Sequence, residues 1–266
     1  MFKTRLLSGI VLVIILIATV GLGGNVLFGV LALISLIGMY ELYRVFKIEN
    51  KLPGIIGYLA AIAYYAAVYF DAREAFQALS ILFLILVMAA YVFTFPKYHS
   101  EQIMAAYFGL FYVAVMLSFV YLTRMLPSGN VAVWLIFLSS WGCDTCAYCV
   151  GVLVGKHKMA PKLSPKKSIE GGVGGILGAA LLGAAFAAGA SHLGYADASP
   201  AVYAVICGVG GMISQIGDLA ASAIKRNKEI KDYGTLIPGH GGILDRFDSV
   251  IITAPVIFYL MTMLAH

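Results

Sequence analysis

The sequence predicts an all-α, polytopic membrane bundle of about nine transmembrane helices with its N-terminus in the cytoplasm. Three observations carry this. Of 266 residues, 61% are hydrophobic and only 12% charged, and the mean hydropathy of +0.93 lies far outside the soluble globular range. The apolar residues gather into separate runs close to the length that crosses a bilayer. The basic residues are sorted to one side of those runs, as cytoplasmic loops require.

Taken in order, the runs are Leu6–Val20, Asn25–Phe46, Leu52–Phe70, Phe76–Phe95, Met104–Leu122, Val131–Val154, Gly171–His192, Pro200–Ile224 and Ser249–Leu264. With the N-terminus inside, only Arg73 and Arg124 of the 18 Lys and Arg residues fall outside. No connection is long enough to bury a core of its own, so no soluble domain is expected. Lys3 and Arg5 before an apolar run resemble a signal peptide, but no cleavage site of the A-x-A kind follows, and a retained anchor is the better reading.

Residues 1–125 read as scaffold. Their notable charge, Glu41, reads as an interfacial carboxylate with Arg44 as its partner, a catalytic role being the alternative. Residues 126–266 hold the chemistry, with two polar connections at 155–171 and 225–248. The sixth run contains Asp144. At helical steps, Ser140, Asp144, Tyr148, Gly151 and Gly155 would share one face. Asp144 stands twelve residues before Lys156, roughly 18 Å along a continuous helix at about 1.5 Å per residue. A carboxylate so placed needs a metal, a proton or a cation; the competing account is a protonated Asp hydrogen-bonded across helices. Cys143, Cys146, Cys149 and Cys207 read as small apolar packing groups. The C-x-x-C-x-x-C spacing turns its thiols around a helix axis rather than toward one ion.

The connection Gly155–Gly172 carries five lysines together with Ser164 and Ser168. Its positive potential suits phosphate, and equally topology and anionic headgroups. The seventh run is rich in Gly and Ala, which favours close helix packing. In the eighth, Ser214, Asp218, Ser222 and Lys225 fall on one helical face, with Asp218 roughly 10 Å from Lys225. Beyond it, Lys225, Arg226, Lys228, Lys231, Asp232, His240, Asp245, Arg246 and Asp248 crowd one short connection. Asp245 and Asp248 lie a turn apart and can converge. Asp218, Asp245 and Asp248, with Asp144 as a fourth, make an oxygen-rich set for Mg²⁺; an ion-pair network with Lys225 and Arg246 is the alternative. His240, between Gly239, Gly241 and Gly242, reads either as a phosphate donor in a glycine-rich turn or as a histidine bonded to its own backbone.

Two blocks, D-x-x-A-Y-x-x-G-x-x-x-G-K-H-K…S-P-K-K-S-x-E-G and S-x-x-K-R-x-x-x-x-K-D-x-G…P-G-H-G-G-x-x-D-R-x-D, resemble the signature of the phosphatidate cytidylyltransferases, the CDP-diacylglycerol synthases. The resemblance covers Ser140 to Ser249. It implies that phosphatidic acid attacks the α-phosphorus of CTP and expels pyrophosphate, in an enzyme carrying one or two Mg²⁺ ions. Residue type and placement assign Asp218, Asp245, Asp248, Lys225 and Arg246 to the catalytic groups, and the resemblance adds His240. Lys166, Lys167, Ser164, Ser222, Arg226, Lys231, Asp232, Gly241, Gly242 and Tyr148 would bind substrate. The expected partners are CTP, phosphatidic acid, the bilayer of the cell membrane and a second copy of the chain, with no nucleic acid. No Walker A sequence and no nucleophile–histidine–acid set is evident. A CTP-dependent lipid kinase and an ion-coupled transporter remain as other classes with similar residues.

Overall fold

The computed structural model describes residues 2–72, 74–195, 199–239 and 241–264, with side chains described from residue 8. The helices are α1 (Phe2–Leu22), α2 (Gly24–Val45), α3 (Leu52–Tyr69), α4 (Ala75–Phe93), α5 (Ser100–Gly109), α6 (Met116–Arg124), α7 (Gly129–Phe137), α8 (Cys143–Val154), α9 (Ile169–His192), α10 (Pro200–Asn227) and α11 (Leu244–Leu264). The protein is an all-α polytopic membrane protein. Among the described residues, eight helical stretches from Gly24–Val45 to Leu244–Leu264 are long and apolar enough to cross a membrane. The first of the expected spans has a shorter described apolar stretch, Ser8–Leu22.

Two of the spans are not plain α-helix. A π-helical segment, Leu110–Val115, joins α5 to α6, and another, Leu138–Gly142, joins α7 to α8. A π turn carries one residue more than an α turn, so it rotates whatever follows it. The second segment includes Ser140 and ends just before Asp144, and the stripe expected there does not share one environment. Ser140 is fully buried, with its hydroxyl donating to the Ile136 carbonyl at 2.7 Å, whereas Tyr148 is 73% exposed.

The chain divides into two compact units. One comprises Met1–Ser118 and Asp232–Arg246. Its core is pinned by buried hydroxyls: Tyr43 donates to the Ala106 carbonyl at 2.7 Å, and Ser35 meets Tyr65 at 2.7 Å. Buried phenols that find such partners add specificity to an otherwise apolar core.

The other unit comprises Phe119–Lys231 and Phe247–His266. Here the small residues of α9 let three helices approach closely. A Cβ at Gly175 would stand 2.8 Å from the Ala147 Cβ of α8, and one at Gly211 of α10 would stand 3.1 Å from the Ala179 Cβ of α9. Between α8 and α9 the lysine-rich connection forms a short antiparallel hairpin, β1 (Lys158–Ala160) and β2 (Ser164–Ser168). Hydropathy and charge alone had marked this only as a loop.

Candidate active site

In the second unit, α8, α10, α11 and the hairpin each bring a charge to one neighbourhood. Lys167, near the end of β2, forms an ion pair with Asp218 of α10. Asp248, in the first turns of α11, is buried, and its charged neighbours are Asp218, Lys225 and Asp144. The Ser249 amide donates to Asp248 Oδ1 at 2.8 Å, which orients that carboxylate. Three carboxylates and two ammonium groups thus interact across four elements. One turn before Asp218, the Ser214 hydroxyl is fully buried and has no hydrogen-bond partner among the described residues.

The helices behind this cluster are tied together by Gln215, which is buried on α10. Its amide donates to the Gly172 carbonyl at the start of α9 at 2.9 Å and reaches the Cys143 sulfur of α8 at 3.6 Å. Cys143 in turn donates to the Gly211 carbonyl at 3.4 Å. Cys143 adjoins Asp144 and Gln215 lies three residues before Asp218, so these bonds hold the helix segments that carry the two acids. The sequence reading assigns Gln215 no role; its signal is that of a polar side chain in an apolar run.

The hairpin is held at both ends. Ser168 caps α9 by accepting the Gly171 amide at 3.1 Å, the role a serine at a helix start favours. Glu170 accepts the Lys156 amide at 3.1 Å and meets His157 Nδ1 at 2.6 Å, closing the base of the hairpin. Near the tip, Arg226 at the end of α10 donates to the Leu163 carbonyl at 3.4 Å. Lys166 is exposed, Ser164 and Ser222 are half-buried, and Lys231 and Asp232 are exposed.

In the first unit, residues 232–239 and 241–246, the last three of them the start of α11, gather around the Asp245 and Glu41 carboxylates. Ile237 and Gly241 pair as an isolated bridge, with the Ile237 amide donating to the Gly241 carbonyl at 2.8 Å. Gly241 adopts φ 86°, a conformation open to glycine at little cost. Asp245 is buried, and its Oδ2 accepts the Tyr233 amide at 2.8 Å and the Gly242 amide at 2.9 Å. Arg246 is half-buried. His240 lies outside the described residues.

Glu41 is buried, and Arg44 is among its charged neighbours, as the sequence reading expects. Arg44 also donates to the Tyr233 carbonyl at 2.6 Å. Beyond that reading, the Glu41 carboxylate accepts the amides of Ile243 at 3.0 Å and Leu244 at 2.9 Å. Sequence reasoning missed this because the partners lie about 200 residues away and are backbone groups, which leave no mark in side-chain identity. Its available signal was an acid inside an apolar span.

The donor chemistry of the second unit fits a hard divalent ion. Mg²⁺ takes oxygen ligands, commonly one or two carboxylates completed by substrate phosphate and water. Asp218 and Asp248 repel one another unless a cation stands between or beside them. Among the described residues no group of three His, Cys, Asp or Glu side chains is arranged to hold an ion by itself. Such a site would therefore be completed by phosphate oxygens, and the cations of Lys167 and Lys225 already face the same groups.

The model of the cytidylyltransferase family matches residues 3–264. The chain is similar to the phosphatidate cytidylyltransferase of Bacillus subtilis (strain 168), at 29% identity over 98% of each chain. It is likewise similar to those of Staphylococcus epidermidis (strain ATCC 12228 / FDA PCI 1200), at 34%, and Staphylococcus aureus (strain COL), at 31%, each over 97% of this chain and 98% of the relative. Matched over residues 3–264, the chain belongs to the cytidylyltransferase family.

Proposed function

We propose that the protein transfers CMP from CTP to phosphatidic acid, producing CDP-diacylglycerol and pyrophosphate for phospholipid synthesis. The observation that carries this is the Lys167–Asp218 pair beside buried Asp248, in a membrane protein whose full-length relatives bear this activity in their names. A lipid phosphate lies at headgroup level, where an apolar protein with a polar cluster can present it to a soluble nucleotide.

In the reaction, an oxygen of the phosphatidate phosphate forms a bond to the α-phosphorus of CTP. The bond from that phosphorus to the bridging oxygen breaks, and pyrophosphate leaves with the electron pair. No protein nucleophile is required, so the work of the side chains is positioning and charge neutralisation. Lys167, Lys225, Lys166 and Arg226 neutralise the phosphates, with Lys231 and Arg246 assisting. Asp218 and Asp248 hold the divalent ion, Asp144 adds negative charge to the same set, and Asp245, oriented by two amides, belongs to the proposed ligands as well. A bound Mg²⁺ supplies charge stabilisation of the phosphates and of the leaving pyrophosphate. Ser164, Ser222, Asp232, His240, Gly241, Gly242 and Tyr148 complete the proposed substrate-binding set.

The basic hairpin and the 225–248 connection are assigned to the cytoplasmic side of the cell membrane, with the N-terminus, because CTP is there and basic loops favour that side. A homodimer is also proposed, on the family resemblance and the small-residue faces of the helices.

The decisive assay supplies radiolabelled CTP and phosphatidic acid to the purified protein in detergent. CDP-lipid with pyrophosphate is expected. Phosphorylated lipid with CDP would make the protein a kinase, and absence of turnover with both substrates present would remove the enzymatic reading. In the same assay, Asp218→Asn should lower kcat roughly 10²- to 10³-fold; normal Mg²⁺-dependent turnover by that variant would overturn the metal assignment.

A further inference from the structure

We infer that Glu41 is the positioning residue of the 232–246 loop: its carboxylate clasps the first backbone amides of α11 and so sets where Asp245 stands. The inference rests on the proposed cytidylyl transfer for its kinetic consequence, though not for the clasp itself.

Four observations within the first unit support it. Glu41 accepts from Ile243 and Leu244, the two amides at the start of α11. Those N–H groups have no partner inside the helix, and a carboxylate there both caps the chain and meets the positive end of the helix dipole. Arg44, one turn further along α2, holds the Tyr233 carbonyl, so a single helix grips the loop near both ends. Ser8 of α1 adds a bond to the Pro238 carbonyl at 3.1 Å between them. Gly234 and Gly242 lie so near that a Cβ on either would overlap the Glu41 carboxylate.

The consequence follows from helix geometry. Asp245 stands in the first turn of α11, so rotating or fraying that end moves its carboxylate. Asp245 is bound to the same loop through Tyr233 and Gly242. Glu41 therefore acts on the reaction through these residues and is not itself catalytic.

The test uses the full chain in detergent. Glu41→Gln preserves shape but turns an N–H toward an amide that needs an acceptor. It should raise hydrogen exchange of the Ile243 and Leu244 amides roughly five- to tenfold, the range of a lost helix cap. The Mg²⁺ concentration for half-maximal turnover should rise severalfold, with the melting temperature nearly unchanged. Gly242→Ala, which leaves Glu41 intact but crowds its carboxylate, should raise the same exchange from the opposite side. Unchanged exchange at Ile243 and Leu244 in both variants would overturn the clasp. Exchange rising equally throughout the chain, with a matching fall in melting temperature, would reduce Glu41 to a general support of the fold and overturn positioning. If the unmodified protein makes no CDP-lipid, the proposed reaction fails while the exchange experiment still decides the clasp.

Discussion

Lys167 shows how little residue type reveals about residue role. It is one of five lysines in a basic connection, and charge counting treats all five alike. In the structure Lys166 is exposed while Lys167 pairs with Asp218. The two should therefore differ on substitution. Lys167→Met strips Asp218 of a partner and should reduce kcat about 10²-fold, because a charge aimed at the reacting phosphates is worth most where water is excluded. Lys166→Met should act mainly on the apparent KM for CTP, by less than about tenfold, as a screened surface charge does. Steady-state kinetics on the two variants separates these outcomes. Glu41 is the opposite case: an acid read as bland that the fold gives a defined task through two backbone amides.

At the scale of elements, the helices follow from apolar run length, and their ends from familiar signals. Pro53 and Pro200 stand at helix starts, and Ser168 caps α9. Ser168→Ala should cost about 1 kcal/mol, seen as lost amide protection over residues 169–172 and a loosened β2. Gly175→Val places new atoms against Ala147 and the Cys143 carbonyl; overpacking of this kind costs about 1–3 kcal/mol, and a lowered melting temperature in detergent is the readout. The π segment Leu138–Gly142 was not legible in the sequence. Leu138, Ser139, Ser140, Trp141 and Gly142 carry no periodic pattern that marks a π turn rather than an α turn. Ser140, inside that segment, and Tyr148, four-residue steps on either side of Asp144, end in opposite environments.

For the whole molecule, the topology proposal has a direct test. In a background without the four native cysteines, Lys162→Cys should react with a membrane-impermeant maleimide in inside-out vesicles, and Met125→Cys in right-side-out ones. The reverse pattern would invert the assignment. Hydropathy and the positions of charge were enough to establish an all-helical membrane protein, because lipid demands long apolar runs with every backbone group satisfied internally. Motif spacing also singled out Asp218, Asp248 and the lysine-rich connection, because those residues lie close to one another along the chain or recur at helical steps. The tertiary structure alone decided that Lys167 pairs with Asp218, that Gln215 ties α8, α9 and α10, and that Glu41 reaches the start of α11. Each of these contacts joins residues far apart in sequence, several through main-chain atoms common to every residue, so only folding could specify them.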